Sequence, residues 1–220
     1  MNSTHEQYFS AQPSTEDDRK KITISMRGTE YDVTVSRSVF STHRLDLGTK
    51  VLLDRVPSPA DLPEQAHILD LGCGWGPISI AAAAEAPHTS TIWALDVNER
   101  AIELAALNAS HAGLSNVRAG TVESFERDFG ADWSDAHFDL IWSNPPIRIG
   151  KEELHTLLMT YLPRLTVGGH AYMVVQKHLG ADSLMSWLDS QLNNDATASY
   201  EVSKFASAKG YRIIEVERLR

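Results

Sequence analysis

The sequence predicts an α/β fold built on a doubly wound, mainly parallel β-sheet. First, short apolar runs of strand length alternate along the chain with segments whose apolar residues recur at helical spacing. Second, residues 66–77, AHILDLGCGWGP, lead from an apolar run through a glycine-rich turn into a helix. Third, an Asn-Pro-Pro segment follows another apolar run at residues 144–146. These features are typical of open sheets that bind a ligand at the carboxyl ends of their strands.

Composition and charge fit one globular domain and limit its partners. The chain has 220 residues, of which 42% are hydrophobic and 22% are charged, so it can bury a sizeable core. Its single cysteine, Cys73, excludes an internal disulfide and is typical of a reducing cytosol. The net charge of −9 disfavours a strongly basic nucleic-acid clamp, although a local basic rim is compatible with it.

The beginning of the chain predicts an arm and a hairpin. Residues 1–20 are polar and contain neither a signal-peptide core nor a membrane span, so we expect a mobile arm on a cytoplasmic protein. Residues 21–220 are expected to form one domain. ITISM and YDVTV alternate apolar and polar residues around the turn RGTE, which predicts a β-hairpin extension over residues 21–40.

The glycine-rich turn is the centre of the predicted ligand site. The strand that contains Ile68 ends near an acid, Asp70, and glycines follow at positions 72, 74 and 76. Glycine permits backbone conformations closed to other residues and brings backbone N–H groups close to a ligand. Pro77 suits the first turn of a helix over residues 78–85. The spacing G-x-G-x-G differs from the dinucleotide fingerprint G-x-G-x-x-G, and no P-loop sequence occurs.

A second acid follows the next predicted strand. Residues 91–98, TIWALDVN, contain an apolar run that ends at Asp96, about twenty residues after Gly76, where a ribose-binding carboxylate is expected. The turn and this acid fit an adenosyl group, but they do not choose between NAD, FAD and S-adenosylmethionine. Residues 99–111 then predict a helix that ends before Gly113.

A rigid corner follows the strand predicted over residues 138–143. Asn144 precedes Pro145 and Pro146, which cannot continue a strand because each lacks an N–H donor and has a fixed φ. The corner is therefore expected at the strand's end, where ligands bind in open α/β sheets.

The remaining elements complete the alternation of strands and helices. Helices are predicted over VLLDRV at residues 51–56, with Gly48 and Thr49 as its starting turn, and over residues 151–161 and 181–192. Strands are predicted over residues 116–119, 171–176, 199–205 and 211–217. The last two strands flank Lys209 and Gly210 and are expected to pair antiparallel.

With these motifs in place, the chain resembles the class I S-adenosylmethionine-dependent methyltransferases, and more narrowly the "methyltransferase small" family. The resemblance rests on STHRLDLGTKVLL, ILDLGCGWG, ALDVNERA, SNPPIRIGKEELH, AYMVVQK and KGYRIIEV. It runs from about Phe40 to the C-terminus and covers only the catalytic domain of that family, whose best-known members are small-subunit ribosomal RNA guanine-N2 methyltransferases. It implies a Rossmann-like, doubly wound, mainly parallel seven-stranded sheet with an antiparallel last strand, to which the small N-terminal hairpin is added.

The resemblance implies S-adenosylmethionine as cofactor and S-adenosylhomocysteine as product. The implied cofactor-binding residues are Asp70, Gly72, Cys73, Gly74, Asp96, Val97, Asn98, Thr121, Val122 and Asn144. The glycine turn would offer N–H groups to the methionyl carboxylate, Asp70 would lie near the amine, and Asp96 would accept from both ribose hydroxyls. Val97 and Asn98 would border the adenine. Thr121 stands where the family often has an acid for the adenine amino group. Glu123 is either the substitute for that acid or a solvated acid at the start of a helix.

The resemblance also implies the catalytic group and the substrate-binding loop. The Asn144 amide oxygen and the Pro145 carbonyl would accept the two hydrogens of a planar amino group and hold its nitrogen in line with the methyl group. The implied substrate-binding residues are Pro146, Ile147, Arg148 and Lys151. Lys177 ends the next predicted strand and is expected to line the mouth with Arg148 and Lys151, whereas Lys209 and Arg212 are weaker candidates for RNA phosphates. Many relatives have Tyr or Phe where this chain has Ile147, so the base is expected to be held by packing and by neighbouring groups.

The favoured function is methylation of an exocyclic amino group in RNA, with guanine N2 of 16S ribosomal RNA, naked or in an assembled subunit, as the target. Adenine N6 in RNA or DNA and a protein glutamine amide present the same NH2 group, so the motif leaves these acceptors open. A non-catalytic methyltransferase-like binding subunit is a further alternative. A dehydrogenase is disfavoured by Pro77 and by the Asn-Pro-Pro-Ile segment. Neither a metal ion nor a membrane is expected as a partner.

Overall fold

The computed structural model describes residues 18–36, 39, 44–194 and 197–220, apart from the side chain of Arg148. Residues 1–17 of the predicted arm and Phe40, where the predicted hairpin extension ends, lie outside the described residues. The strands are Arg19–Met26 (β1), Thr29–Ser36 (β2), His67–Leu71 (β3), Thr91–Leu95 (β4), Val117–Gly120 (β5), Phe138–Ser143 (β6), Leu165–Gln176 (β7), Tyr200–Ala208 (β8) and Tyr211–Arg218 (β9). The α-helices are Leu47–Leu53 (α1), Pro77–Glu85 (α2), Glu99–His111 (α3), Val122–Phe129 (α4), Ala131–Ser134 (α5), Lys151–Tyr161 (α6) and Ala181–Leu192 (α7).

The main sheet confirms the predicted fold class. Its seven strands lie in the order β5-β4-β3-β6-β7-β9-β8. The pairs β3–β4, β4–β5, β3–β6 and β6–β7 are parallel, whereas β9 is antiparallel to both β7 and β8. The chain therefore builds outward from β3 in one direction and then crosses over to β6 on its other side. The carboxyl ends of β3 and β6 meet at this topological switch point, which is where open sheets bind ligands.

The N-terminal hairpin is confirmed as a separate two-stranded sheet. β1 and β2 pair antiparallel with Met26 opposite Thr29. The turn between them has positive φ at both central residues, 48° at Arg27 and 84° at Gly28, as a tight mirror-image hairpin turn requires. β1 begins at Arg19, inside the segment predicted as an arm.

Several assignments differ from the sequence prediction, among them the short helix α5, which was not predicted. Strand β7 begins at Leu165 rather than at residue 171, because Gly168 and Gly169 lie within the strand. A Cβ on Gly169 would come within 2.9 Å of the Phe138 carbonyl oxygen, so glycine allows the close approach of β6. Helix α4 was not predicted, because Phe125 is its only buried residue and its sequence is otherwise mostly polar or half-exposed.

Helices cover both faces of the sheet and leave its carboxyl edge to loops. One hydrophobic cluster joins α1, α2, α3 and the hairpin to one face, with Leu52, Trp75 and Leu104 among its buried residues. The other joins α4 to α7 to the opposite face. With both faces packed, the loops after β3, β4, β5 and β6 lie together at one edge, and they carry the predicted site residues.

Candidate active site

The glycine turn after β3 has the backbone conformation that its sequence predicts. Gly72, Gly74 and Gly76 have φ values of 81°, 55° and 91°. The N–H groups of Gly72 and Cys73 donate to the Leu95 carbonyl at 2.9 and 3.0 Å and thereby join the turn to the end of β4. A Cβ on Gly76 would meet Ala105 Cα at 3.0 Å, so this glycine also permits the close packing of α2 on α3.

Asp70 is a fully buried carboxyl group at the end of β3. Its Oδ2 accepts from the Ser79 backbone N–H at 2.9 Å and from the Ser79 hydroxyl at 2.5 Å. Its Oδ1 has no hydrogen-bond partner among the described residues. Burial raises the pKa of Asp70 to about 7, the Ser79 hydrogen bonds oppose this rise, and the nearby Asp96 adds to it. Such a group gains from a cationic ligand beside its unpaired oxygen.

Asp96 connects the end of β4 to the glycine turn. Its Oδ2 accepts from the Gly74 N–H at 2.9 Å and its Oδ1 from the Asn98 N–H at 3.0 Å. Burial raises the pKa of Asp96, while these backbone hydrogen bonds and one from Val97 oppose the rise. Because a carboxylate offers about four acceptor positions, capacity is left for a hydroxyl pair.

Val97 and Asn98 have different environments. Val97 is 58% exposed, so its apolar side chain is available at the edge of the site. Asn98 is buried, and its side-chain oxygen accepts from the backbone N–H groups of Arg100 and Ala101 as the N-cap of α3. Asn98 therefore lies directly after Asp96 and Val97, with its side-chain oxygen used to cap α3.

The loop after β5 places Thr121 and Val122 at the same edge of the sheet. Thr121 is the N-cap of α4, and its hydroxyl accepts from the Ser124 N–H at 3.1 Å. Glu123 is exposed, and hydrogen bonds from its own backbone and from Thr121 lower its pKa. Glu123 is thus a helix-start carboxylate, which does not support its predicted role as substitute for the adenine acid.

Cys73 and the proline corner lie against the glycine turn. Cys73 is buried, and burial raises the pKa of its thiol, as for an inert packing residue rather than a nucleophile. A Cβ on Gly72 would come within 3.7 Å of Pro146 Cδ, which shows how closely the corner after β6 approaches the turn. The structure therefore brings together the two motifs that the sequence predicted as one site.

The carboxamide of Asn144 is anchored by the start of α1. Its Nδ2 donates to Asp46 Oδ2 at 2.8 Å and to Thr49 Oγ1 at 3.1 Å. Its Oδ1 has no hydrogen-bond donor in the part of the chain that the structure describes. Asp46 and Thr49 belong to a segment that begins a helix and that the family resemblance implies packs over the cofactor pocket, but no local pattern in the sequence linked them to Asn144.

The prolines and Ile147 form a compact turn. The Pro145 carbonyl accepts from the Ile147 N–H at 2.8 Å around Pro146, whose φ and ψ of −74° and 72° are those of an inverse γ-turn. One lone pair of the Pro145 carbonyl is therefore used within the loop, and one stays available to a ligand. Ile147 is half-buried against the core cluster on the α6 face, so packing within the fold occupies much of its side chain.

Few of the predicted basic contacts can be placed around this loop. Lys151 is exposed at the first position of α6. Lys177 is exposed directly after β7, and its backbone N–H donates to the Gly210 carbonyl at 2.9 Å. Because β7 is parallel to β6, Lys177 lies at the same edge of the sheet as Asn144. Arg212, a weaker candidate, pairs with Asp182.

The residues at this edge fit S-adenosylmethionine. Asp70 is buried with an unpaired Oδ1, and Asp96 lies near it. Two neighbouring carboxyl groups favour a ligand with positive charge, which the sulfonium and the amine of this cofactor provide. The glycine turn offers close backbone approach, Asp96 offers acceptors for a ribose, and Val97 offers an apolar surface for adenine.

The described residues also bear on a membrane or a metal ion as partner. No α-helix within 18–36, 39, 44–194 and 197–220 combines the length and apolarity needed to cross a bilayer. The same residues contain no group of three or more His, Cys, Asp or Glu side chains arranged to hold a metal ion.

Sequence comparison identifies the family. The family model described as "Methyltransferase small domain" matches residues 30–213. The Bacillus subtilis (strain 168) protein named "Uncharacterized protein YbxB" is 32% identical over 215 residues, 97% of this chain and 99% of that protein. "Ribosomal RNA small subunit methyltransferase C" of Pseudoalteromonas translucida (strain TAC 125) is 30% identical over 194 residues, 86% of this chain and 52% of that protein. The chain thus spans nearly all of the first relative and about half of the second.

Structural comparison supports the same fold. The chain superimposes on "T. Thermophilus 16S rRNA N2 G1207 methyltransferase (RsmC) in complex with AdoMet and Guanosine" with a TM-score of 0.72 and 18% identity, covering 93% of this chain and 52% of that one. This likeness is one of fold, while the family rests on the match over residues 30–213. The resemblance stated from the motifs is confirmed: the chain belongs to the methyltransferase small domain family and is an S-adenosylmethionine-dependent methyltransferase.

Proposed function

We propose that this enzyme methylates an exocyclic amino group of RNA in the cytoplasm, and that its target is guanine N2 of 16S ribosomal RNA. The observation that carries the proposal is the Asn144 carboxamide, which is anchored through Nδ2 and lies two residues before Pro146, the proline that approaches the glycine turn. The names of the ribosomal RNA methyltransferase relative and of the 16S rRNA N2 methyltransferase structure support an RNA acceptor.

Asn144 and Pro145 are the proposed catalytic groups. The lone pair of an aromatic amino group is delocalised into its ring, so such a nitrogen attacks only when it is closely oriented. Asn144 Oδ1 and the free lone pair of the Pro145 carbonyl would accept hydrogen bonds from the two N–H groups of this amine and fix the direction of its attack. Orientation of this kind lowers the barrier to methyl transfer by on the order of several kcal/mol. Both acceptors also lie where positive charge develops on the nitrogen.

The remaining edge residues hold the methyl donor in this proposal. Bound S-adenosylmethionine supplies an electrophilic methyl group. The backbone of the glycine turn, including Cys73, lets the methionyl carboxylate approach closely, although the N–H groups of Gly72 and Cys73 already donate to Leu95. Asp70 faces the amine, and Asp96 accepts from the ribose. Val97, Asn98, Thr121 and Val122 border the adenine, with Asn98 contributing through its backbone.

The loop after Asn144 is proposed to receive the base and its flanking phosphates. Pro146 and Ile147 supply an apolar wall, although the half-burial of Ile147 limits its share. Arg148 and Lys151 supply positive charge where an RNA backbone would pass. A basic rim of this kind is compatible with the net charge of −9, because it is confined to the mouth of the site.

The test is methylation of defined acceptors with radiolabelled S-adenosylmethionine. Small ribosomal subunits and naked 16S RNA from cells that lack the gene are incubated with the enzyme, digested and analysed by nucleoside mass spectrometry. The expected product is N2-methylguanosine. Labelled N6-methyladenosine, or label on protein glutamine instead of RNA, would replace the guanine assignment. Cofactor binding without transfer to any acceptor would favour the non-catalytic alternative.

Asn144→Ala is the control for the catalytic assignment. Loss of one transition-state acceptor is expected to reduce kcat by about 10²- to 10³-fold. The affinity for S-adenosylhomocysteine, measured by calorimetry, should stay within a few-fold of the unchanged enzyme. Full turnover by Asn144→Ala would show that another group orients the acceptor.

A further inference from the structure

The start of α1 holds Asn144 through two side chains. Asp46 Oδ2 accepts from the Thr49 backbone N–H at 3.1 Å, as an N-cap does, and from Asn144 Nδ2 at 2.8 Å. Thr49 Oγ1 accepts from the same Nδ2 at 3.1 Å. The two hydrogens of the Asn144 amide are thus matched by two acceptors that come from one helix.

These acceptors fix which way round the amide lies. A carboxylate can only accept hydrogen bonds, so the atom of Asn144 that faces Asp46 must be Nδ2 and not Oδ1. The amide oxygen is then turned away from α1. A hydrogen bond to a charged acceptor also polarises the amide and places more negative charge on its oxygen.

Gly48 makes room for this arrangement. A Cβ at Gly48 would lie 2.9 Å from Asp46 Oδ2, 2.9 Å from Tyr211 Cε1 and 3.3 Å from Asn144 Nδ2. Tyr211 in turn accepts from Gln176 Nε2 through its phenol oxygen at 2.9 Å. The Asp46 carboxylate, the Asn144 amide and the Tyr211 ring therefore pack closely around Gly48, and a side chain at this position would collide with them.

We propose that Asp46 and Thr49 are positioning residues, which act through Asn144 by presenting its Oδ1 to the acceptor amine and by making that oxygen a stronger hydrogen-bond acceptor. The proposal rests on the proposed catalytic role of Asn144. It assigns a function to the helix start, which otherwise contributes only the packing of α1 on the sheet.

Asp46→Ser separates positioning from helix stability. Serine caps a helix start about as well as aspartate, but it is too short to reach Asn144. We expect kcat to fall about 10²-fold, as for a misplaced catalytic group, with S-adenosylhomocysteine affinity within about twofold. Asp54→Ser is the matched control. It removes the carboxylate of Asp54, which lies at the other end of the same helix and pairs with Lys50, and it should keep kcat.

Two further variants separate charge from geometry. Asp46→Asn keeps an acceptor oxygen without the negative charge and should restore part of the lost kcat, leaving a deficit of about tenfold. Thr49→Val removes the second acceptor and keeps the shape of the side chain. It should lower kcat less than Asp46→Ser, because Asp46 still holds the amide. Full kcat for Asp46→Asn would leave no role for the charge and overturn that part of the proposal.

A double-mutant cycle tests whether Asp46 acts through Asn144. If it does, Asp46→Ser combined with Asn144→Ala should be no slower than Asn144→Ala alone. Multiplicative losses would show an independent, structural role and overturn the inference. If Asn144→Ala itself keeps full kcat, the proposed function fails first, and the two failures are thereby distinguished.

The amide can also be followed without any assay of transfer. In protein labelled with ¹⁵N-asparagine, the Asn144 side-chain resonance is identified by its loss in Asn144→Ala. We expect its two hydrogens to exchange slowly with solvent in the unchanged enzyme and in Asp54→Ser, and at least tenfold faster in Asp46→Ser. The same exchange rate in all three proteins would show that Asp46 does not hold the amide.

Discussion

Asp70 is a carboxyl group whose protonation depends on the fold and on its ligand. Burial raises its pKa from 3.8 to about 7, so the folded protein keeps a proton that the unfolded chain has already released at neutral pH. Folding therefore becomes less favourable as the pH rises from about 4 to about 7, and the loss is complete above that range. Asp70→Asn cannot ionise and removes this contribution.

The stability of the ligand-free protein should therefore respond to Asp70→Asn in a pH-dependent way. Relative to the unchanged protein, the free energy of unfolding of the variant should improve by about 2–4 kcal/mol between pH 5 and pH 8. Urea unfolding at a series of pH values measures this difference. Parallel curves for the two proteins would mean that the pKa of Asp70 is not raised in the fold.

Burial favours the protonated form of Asp70, whereas binding of the ligand should favour its ionised form. The amine of S-adenosylhomocysteine, placed near Asp70 Oδ1, favours the carboxylate, so binding below about pH 7 should release a proton and weaken as the pH falls. Calorimetry in buffers of different ionisation enthalpy counts the protons. Asp70→Asn should abolish most of the proton release, and the rest would come from Asp96, whose pKa is also raised. No proton release at pH 6 would place the amine elsewhere.

Two glycines with similar backbone angles should differ in what a methyl group costs. Gly28 has a φ of 84° and open space around its missing side chain, whereas Gly76 has a φ of 91° and Ala105 within 3.0 Å. Gly28→Ala should cost about 1–2 kcal/mol for the left-handed conformation alone. Gly76→Ala should cost about 1–3 kcal/mol more, because α2 and α3 must separate. Chemical denaturation measures both, and equal losses would contradict the close packing.

At the scale of elements, Asn108 joins the hairpin to the methyltransferase fold. It is fully buried on α3, its Oδ1 accepts from the Thr34 N–H, and its Nδ2 donates to the carbonyls of Thr34 and Trp75. Through Trp75 the same amide contacts the glycine turn. A single side chain thus connects β2, α3 and the ligand-binding loop.

Removal of that amide should destabilise the hairpin in particular. Asn108→Ala leaves three buried backbone groups without partners and should lower the free energy of unfolding by about 2–3 kcal/mol. Hydrogen exchange should accelerate more in β1 and β2 than in the main sheet. Asn116→Ala is the comparison, because the buried Nδ2 of Asn116 has no partner among the described residues. Equal effects of the two variants would argue against the link.

Over the whole molecule, local pattern predicted the elements better than it predicted their contacts. Helices α3, α6 and α7 have the predicted ends, because apolar spacing marks them in the sequence. The glycine turn and the proline corner were predicted as one site because parallel strands end at one edge. The contact between Asn144 and Asp46 joins residues 98 positions apart, and no local rule specifies it. The capping role of Asn98 was missed because its position beside Asp96 suggested a ligand instead.

The distribution of charge over the whole molecule predicts how RNA is recognised. With a net charge of −9, non-specific RNA binding at physiological salt should be weak, with a Kd above about 10⁻⁴ M in fluorescence anisotropy. The exposed lysines at the site edge, Lys151 and Lys177, should then matter locally. Lys151→Ala with Lys177→Ala should lower kcat/KM for the RNA acceptor about tenfold or more and leave S-adenosylhomocysteine affinity unchanged.

A matched pair of exposed lysines elsewhere, Lys21 in β1 and Lys204 in β8, controls for charge alone. Lys21→Ala with Lys204→Ala makes the same change in net charge and should leave kcat/KM within about twofold, since screened surface charges act only over a Debye length of about 8–10 Å. If both pairs reduced kcat/KM equally, the overall charge and not the rim of the site would govern the encounter with RNA. Because the loss for the Lys151 and Lys177 pair comes from phosphate contacts, it should also shrink as salt is raised.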